Sequence, residues 1–455
     1  MEKILSKFTQ EDSIDRLPDE LLISIVSRLP VIEAERTNLL SRRWRYFSMF
    51  SSILDFDASR VLFKLDQERT SLKAERRKFV RWVNRVVSLH SGEAIEEFRI
   101  SFDLDKSDAN DICKWLKFAF EKKVKRLELN LIQSYTGLSD AQYTFPNMYD
   151  SVECSRILPL GISSCESLVK LSLIEVEVTE ETLNFFVSNC PLLEELCIIY
   201  SSYLKKLTFN FPLIRLRRLE IASTGACKSV EICAPNLRSF AFYGFYRIPI
   251  ALKNVSSLIS LSFGAMSPVI LIDYMNQLSG CLSLLESLTL HTSIFQDYVL
   301  AKCPDLPKLK KLVLDIMRPS GYESLLCFTP LMSVAPSLRE LVLKLQWSEN
   351  FMRRTIHTVK AQNRHLGVEV LQIEGFAGGD IDVELAEYVI ENAPSLKKIV
   401  IDFRRIKPNV FRKYENVMAK QGEADIVDSD RMAIAREGAA LLKAKLAAGV
   451  ELIIR

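Results

Sequence analysis

The sequence predicts an α/β solenoid: a small N-terminal module of three helices, then a curved stack of parallel strands backed by helices and loops. Three observations lead there. A short apolar motif of the shape Leu-x-x-Leu-x-Leu recurs through the middle of the chain. Neighbouring copies stand mostly about 21 to 30 residues apart, a period typical of stacked-repeat architectures. The N-terminal segment shows helical periodicity instead, bounded by prolines. With 455 residues, 48% of them hydrophobic, the chain can bury a long core.

The spacing predicts three short helices between Asp12 and Phe50. Pro18 fits a first helical position, where its missing N–H costs nothing. Asp19 and Glu20 follow in the first turn, where the helix dipole favours acids. Leu21, Leu22, Ile25, Val26 and Leu29 recur with helical spacing, and Pro30 stops the helix. A second helix runs from about Val31 to Leu40, and Ser41 is a natural cap for a third carrying Trp44 and Phe47. A chain of about 40 residues seldom builds a self-sufficient core without a metal, a disulfide or a partner. This segment has no Cys and no His, yet it is rich in apolar residues. Either it packs on the rest of the chain or it keeps an apolar face for another protein.

Leu17-Pro18-Asp19-Glu20-Leu21-Leu22, Ile25, Ser27-Arg28-Leu29-Pro30, Glu33-Ala34, Arg36-Thr37 and Leu40-Ser41-Arg42-Arg43-Trp44-Arg45 resemble the F-box of plant F-box/leucine-rich-repeat proteins. The resemblance implies docking onto a Skp-type adaptor, and through it onto a cullin–RING ubiquitin ligase. Carried over by position, Leu17, Pro18, Leu21, Leu22, Ile25, Leu29, Pro30, Leu40 and Trp44 would form or support the docking surface. Some of these, Trp44 especially, serve equally well as the module's own small core.

From about Ala74 to Leu89, Phe79, Trp82, Val83, Val86 and Val87 form one apolar stripe of an amphipathic helix. Arg76, Arg77, Lys78, Arg81 and Arg85 occupy the other face, and the plain expectation for them is solvation. A further helix from about Asp111 to Phe120 carries Ile112, Trp115, Leu116 and Ala119. Both resemble the helices that open the repeat domain in plant F-box relatives, which implies a capping role.

The repeat motif starts at Val124-Lys125-Arg126-Leu127-Glu128-Leu129 and continues with copies opening at Leu168, Leu193, Leu216, Leu237, Leu258, Leu285, Leu309 and Leu338, closing at Leu396. An extra copy at Leu204-Lys205-Lys206-Leu207 falls halfway and breaks the spacing. In a strand, alternate residues face opposite ways, so the leucines point into the core and the residue between them points out. The outward set is Glu128, Ser172, Cys197, Glu220, Ala241, Ser262, Thr289, Val313, Val342 and Val400, the candidates for contact with a target. Asn189-Cys190-Pro191, Ala234-Pro235-Asn236, Ala335-Pro336-Ser337 and Ala393-Pro394-Ser395 mark turns back into strands. Arg215, Arg217 and Arg218 crowd together without stacking on successive repeats, a poor match to the inositol phosphate cluster of some plant relatives.

At the C-terminus, Val368 to Phe376 reads as a strand turning at Gly378-Gly379, Leu385 to Asn392 as a helix and Leu396 to Asp402 as a strand. This order resembles the FBD region of many plant F-box proteins. A Lys- and Ala-rich helix over Ala433 to Ala448 and a last strand over Val450 to Ile454 would close the solenoid. The expected fold class is therefore α/β, a three-helix F-box followed by a curved leucine-rich-repeat solenoid. The expected division is F-box 12–52, linker and capping helices 53–122, leucine-rich repeats 123–360 and an FBD-like C-terminal region 361–455.

Sixty basic against 57 acidic residues leave a net charge of +3, which gives no footprint for nucleic acid or a membrane surface. No run of about 18 uncharged apolar residues exists for a membrane span. Met1 to Asp12 lacks the apolar core of a signal peptide, and ten cysteines sit without a CxxC pair, so reduced thiols in the nucleus or cytoplasm are expected. His90, His291, His357 and His365 are too few and too scattered for a zinc site or a catalytic triad. Gly375-Phe376-Ala377-Gly378-Gly379 lacks the Gly-Lys-Ser/Thr of a phosphate loop. No catalytic, cofactor or metal residue is assigned. The resemblance implies a non-catalytic receptor that holds an unknown target protein near the ligase. A leucine-rich scaffold without ubiquitin recruitment is the alternative.

Overall fold

A computed structural model describes residues 17–37, 39–40, 43–59, 61, 71–131, 142–150, 152, 157–158, 165–209, 212–223, 226–244, 246–293, 303–317, 324–347, 367–404 and 429–455. The chain divides into two compact units, Met1–Glu195 and Leu196–Arg455.

The first unit opens with helices α1 (Asp19–Val26), α2 (Val31–Thr37) and α3 (Trp44–Phe47). Pro18 is the cap before α1 and not its first residue. Helix α3 starts from Arg43, so it begins later than a Ser41 cap requires, and Ser41 itself lies outside the described residues. Strand β1 (Ile53–Asp57), helix α4 (Leu72–Leu89), strand β2 (Glu97–Ser101), helix α5 (Ala109–Glu121) and strands β3 (Arg126–Asn130) and β4 (Lys170–Ile174) follow. Helix α6 (Glu180–Asn189) comes next, its N-terminus capped by the Thr179 side chain.

Strands β1 to β4 pair in order and all run parallel. Leu54, Phe98, Leu127 and Leu171 stand in one row and Phe56, Ile100, Leu129 and Leu173 in the next, every one fully buried. Parallel neighbours need a long crossover, and α4 and α5 supply it. Strands β1 and β2 lie within the stretch that the sequence suggested as linker and capping helices. There Ile95-x-x-Phe98-x-Ile100 is a further copy of the repeat motif, with Phe and Ile in place of leucine.

The amphipathic reading of α4 and α5 holds, with one exception. Phe79 and Val83 are buried, and Phe79 stacks on Phe102 with ring centroids 4.6 Å apart. Trp115 is buried and its indole N–H donates to Asn84 Oδ1 at 2.7 Å. Arg76, however, is no solvated residue. Its guanidinium pairs with Asp103 and Asp105 and donates from Nε to the Asp103 carbonyl at 2.7 Å. Burial opposes its charge, but the two carboxylates outweigh that and raise its pKa.

The second unit carries β5 (Glu195–Ile199) at its boundary, then β6 (Leu207–Thr208), β7 (Arg218–Ser223), β8 (Val230–Cys233), β9 (Ser239–Gly244), β10 (Ile250–Lys253) and β11 (Ser260–Ala265). Helices α7 (Pro268–Gln277) and α8 (Ser279–Leu282) lead to β12 (Ser287–Ser293) and β13 (Lys311–Met317). Helix α9 (Thr329–Ser333), β14 (Glu340–Gln346), β15 (Val370–Glu374), α10 (Asp380–Asn392), β16 (Lys398–Asp402), α11 (Ser429–Lys445) and β17 (Glu451–Ile454) complete it. One core row runs Leu219, Phe240, Leu261, Leu288, Leu312, Leu341, Leu371 and Ile399 across consecutive strands, all fully buried.

A second parallel sheet, in the order β10-β8-β6, forms on the return legs. It accounts for the extra motif copy and for the shortest spacings between copies. The extra copy at Leu204 to Leu207 is the lead-in to β6, and fully buried Leu207 aligns with Val230. Where the return leg is a strand rather than a helix, each residue covers about 3.3 Å instead of about 1.5 Å, so fewer residues close the repeat. Copies opening at Leu193, Leu216 and Leu237, whose return legs hold β6, β8 and β10, are the shortest for that reason.

Candidate functional site

In the F-box-like module the two faces of α1 do different work. Leu22 and Val26 point inward and are fully buried with Ala34, Trp44 and Phe47; Leu17, Ile23 and Leu29 pack partly against them. Trp44 and Phe47 meet edge to face with centroids 6.1 Å apart. Leu21 and Ile25 stand one residue earlier on the helix, about 100° round, and remain 51% and 42% exposed. Leu39 and Leu40 in the turn after α2 are 89% and 65% exposed, and Ile32 and Tyr46 are exposed as well. Pro18 and Pro30 are exposed at the two ends of α1.

The structure thus sorts the nine sequence candidates. Pro18, Leu21, Ile25, Pro30 and Leu40 are on the surface. Leu22 and Trp44 belong to the core, with Leu17 and Leu29 at its margin. Sequence reasoning missed Ile32, Leu39 and Tyr46. Leu39 was hidden because the sequence reading carried the second helix to Leu40, whereas α2 ends at Thr37 and leaves both leucines in the turn.

The module is held firmly. Arg43 donates to the Leu17 carbonyl at 2.6 Å and pairs with Asp19, which ties the start of α3 to the start of α1. Its guanidinium also lies 5.8 Å from the Phe47 ring centroid. The join to the repeats is equally well fixed. Ser52 donates its N–H to the Ser27 carbonyl at 2.9 Å, and Ser51 Oγ donates to the Leu29 carbonyl at 2.6 Å. Pro30 bridges to Ile53 of β1, Ser91 N–H reaches the Met49 carbonyl at 2.9 Å, and Trp82 Nε1–H reaches Glu35 Oε2 at 3.3 Å.

The outward sheet faces are the second candidate surface. They are more closed than the sequence suggested. Ser172, Ala241, Val313, Val342 and Val400 are buried, whereas Glu128, Cys197, Glu220, Ser262 and Thr289 are half-buried. Parallel strands stand only about 4.8 Å apart, so a small or β-branched side chain is covered by longer neighbours on its own and adjacent strands. In the first unit Arg99 links the sheet, with Asp57 at 3.3 Å, Asp55 at 3.4 Å and Glu128 at 3.0 Å. Burial pushes the Asp55 carboxyl up despite Arg99.

In the second unit, Tyr243 lies across Gly264, where an added Cβ would stand 2.3 Å from its ring. The phenol reaches Ser262 Oγ at 2.7 Å and His291 Nε2 at 3.3 Å, and His291 Nδ1 is 2.9 Å from Asp315 Oδ2. His291, isolated in sequence, is therefore part of a hydrogen-bonded chain crossing four strands, β9, β11, β12 and β13. His357 and His365 lie outside the described residues. Arg215, Arg217 and Arg218 are exposed at the approach to β7, and Arg238, just before β9, donates its N–H to the Arg217 carbonyl at 2.8 Å. Among the described residues no cluster of three metal-ligating side chains exists, and no helix is long and apolar enough to cross a membrane.

Comparison with known proteins places this geometry. A family model described as the At1g61320/AtMIF1 leucine-rich-repeat domain matches residues 86–452, and the F-box domain model matches residues 14–53. The chain belongs to the F-box/leucine-rich-repeat family. A putative F-box/LRR-repeat protein of Arabidopsis thaliana is 30% identical over 46% of this chain and 40% of its own length. A second F-box/LRR-repeat protein of the same plant is 28% identical over 54% of this chain and 50% of its own length. The chain spans half or less of those two relatives. An Arabidopsis F-box/FBD/LRR-repeat protein aligns more fully, at 25% identity over 85% of this chain and 91% of its own length.

Proposed function

We propose that this F-box/leucine-rich-repeat protein is the substrate-recognition subunit of a Skp–cullin–F-box ubiquitin ligase. The observation that carries the reading is the second apolar face of α1. A module that had spent its apolar residues on its own core would not leave Leu21, Ile25, Leu39 and Leu40 in water. The Skp-type adaptor covers that face, with Pro18 and Pro30 at its ends and Leu22 and Trp44 holding it in shape from beneath. The repeats bind the target on their outward sheet faces. The fixed join at Ser27–Ser52 and Glu35–Trp82 then holds the target's lysines at a set distance from the ubiquitin-loaded enzyme, so the protein contributes proximity and orientation rather than chemistry. It is a non-catalytic receptor and acts in the nucleus or cytoplasm, where its buried thiols stay reduced.

Co-expression with a plant Skp-type adaptor and cullin tests the reading. The wild type is expected to carry both through purification, and a Leu21→Asp/Ile25→Asp variant, folded by circular dichroism, to carry neither. Wild type that is folded but recovers no adaptor would leave a leucine-rich scaffold as the better account. Adaptor recovered without cullin would retain the docking face and remove the ligase.

A further inference from the structure

Strand β17 is the last strand of its sheet, and among the described residues nothing pairs with its other edge. Its outer side is unfinished in two ways. The backbone is one. Glu451 and Arg455 donate their N–H groups to Lys397 and Ile401 of the β16 side, so by strand alternation the N–H and C=O groups of Leu452 and Ile454 point to the open edge. The core is the other. Leu452 and Ile454 continue the inward rows of Ile399 and Ile401, which are fully buried, yet Ile454 is 49% exposed and Leu452 only half-buried. An open sheet edge is ordinarily polar, yet the last described strand of this sheet carries Leu-Ile-Ile.

We propose that this edge pairs antiparallel with the same edge of a second copy of the chain, giving a two-fold dimer. The residues themselves favour a second copy. Two strands with outward groups at Leu452 and Ile454 can satisfy all of those groups in one symmetric register, with Leu452 opposite Ile454 of the other copy and Ile453 opposite Ile453. That register sets Glu451 directly across from Arg455, an opposite-charge pair formed twice by the symmetry. The sequence Glu-Leu-Ile-Ile-Arg is thus self-complementary when reversed. The half-exposed Leu452 and Ile454 side chains meet across the axis and close both cores. An interface of this size is small, so association is weak and concentration-dependent.

Sedimentation velocity and light scattering of the full chain, from about 1 to about 100 μM, read the equilibrium. A monomer–dimer transition in this range is expected. Leu452→Pro and Ile454→Pro each remove an N–H that faces the open edge and spare the bonds to β16, so each is expected to weaken the dimer on the order of tenfold or more without unfolding the chain. Oxidised Ile453→Cys protein is expected to form a covalent dimer. Glu451→Cys and Arg455→Cys proteins are expected to cross-link when mixed but not each alone, against a wild-type control for the native thiols. A monomer at every concentration overturns the proposal. So does a dimer that neither proline change weakens and Ile453→Cys does not cross-link, since it would use another surface.

Discussion

Neighbouring leucines of α1 should fail in opposite ways when shortened. Leu22 is fully enclosed by Val26, Ala34, Trp44 and Phe47, so Leu22→Ala leaves a cavity that this small core cannot close. Such changes cost about 2 to 5 kcal/mol. Leu21 is half exposed, and its truncation changes folding by within about 0.5 kcal/mol. Hydrogen exchange on the full chain separates the two. Since about 1.4 kcal/mol is tenfold, Leu22→Ala should speed exchange of the α1 amides by roughly 30-fold or more, whereas Leu21→Ala should leave it near wild type. Adaptor binding should show the reverse pattern among molecules that remain folded. Equal protection loss in both variants, or none in Leu22→Ala, would refute the division of α1 into a core face and a docking face.

Other changes test other joints of the structure. Arg76→Ala leaves almost fully buried Asp103 without its partner and should lower stability by about 3 kcal/mol in urea unfolding, with Arg76→Lys recovering only part because one ammonium cannot serve both Asp103 and Asp105. Gly378 has φ of +71° and an added Cβ would stand 2.4 Å from the Ile434 carbonyl oxygen, so Gly378→Ala should loosen α11 and open it to limited proteolysis before the rest of the chain. Asp382 is fully buried, and burial pushes its carboxyl up to about 7 against the N–H bonds from Ala377, Gly378 and Val383. A carboxyl raised in the folded state binds more protons there than in the unfolded chain, so its contribution is complete at acid pH and is lost as pH rises through about 7. The stability difference between wild type and Asp382→Asn should therefore shrink from pH 5 to pH 8 in urea melts. A difference that grows over that range would show the backbone donors winning over burial.

The parts of the fold written in local pattern were legible, and those set by long-range geometry were not. Leu-x-Leu at repeat spacing gave the strands from β3 onward because each leucine faces the core whatever its neighbours do. Strand β2 escaped because Phe98 and Ile100 do the work of leucines. The return sheet β6, β8 and β10 left only a trace, the short spacing and one surplus copy, since Val230 and Ile232 alternate with polar residues over too few positions to stand out. Arg76 sits among four other basic residues, and nothing in that run says which one meets Asp103, 27 positions away. The exposed apolar face of α1 was half legible. The helical spacing identified Leu21, Leu22 and Ile25 together, but which of two adjacent leucines turns inward depends on where Trp44 and Phe47 close the core.

The apolar face left open on the F-box is proposed to bind a Skp-type adaptor. Calorimetric titration of the purified full chain with that adaptor tests it most directly. Saturable one-to-one binding is expected, and Leu21→Asp/Ile25→Asp is expected to abolish it while the repeats' melting transition is unchanged. Binding of the same strength by wild type and the double variant, or no binding by folded wild type, would contradict it.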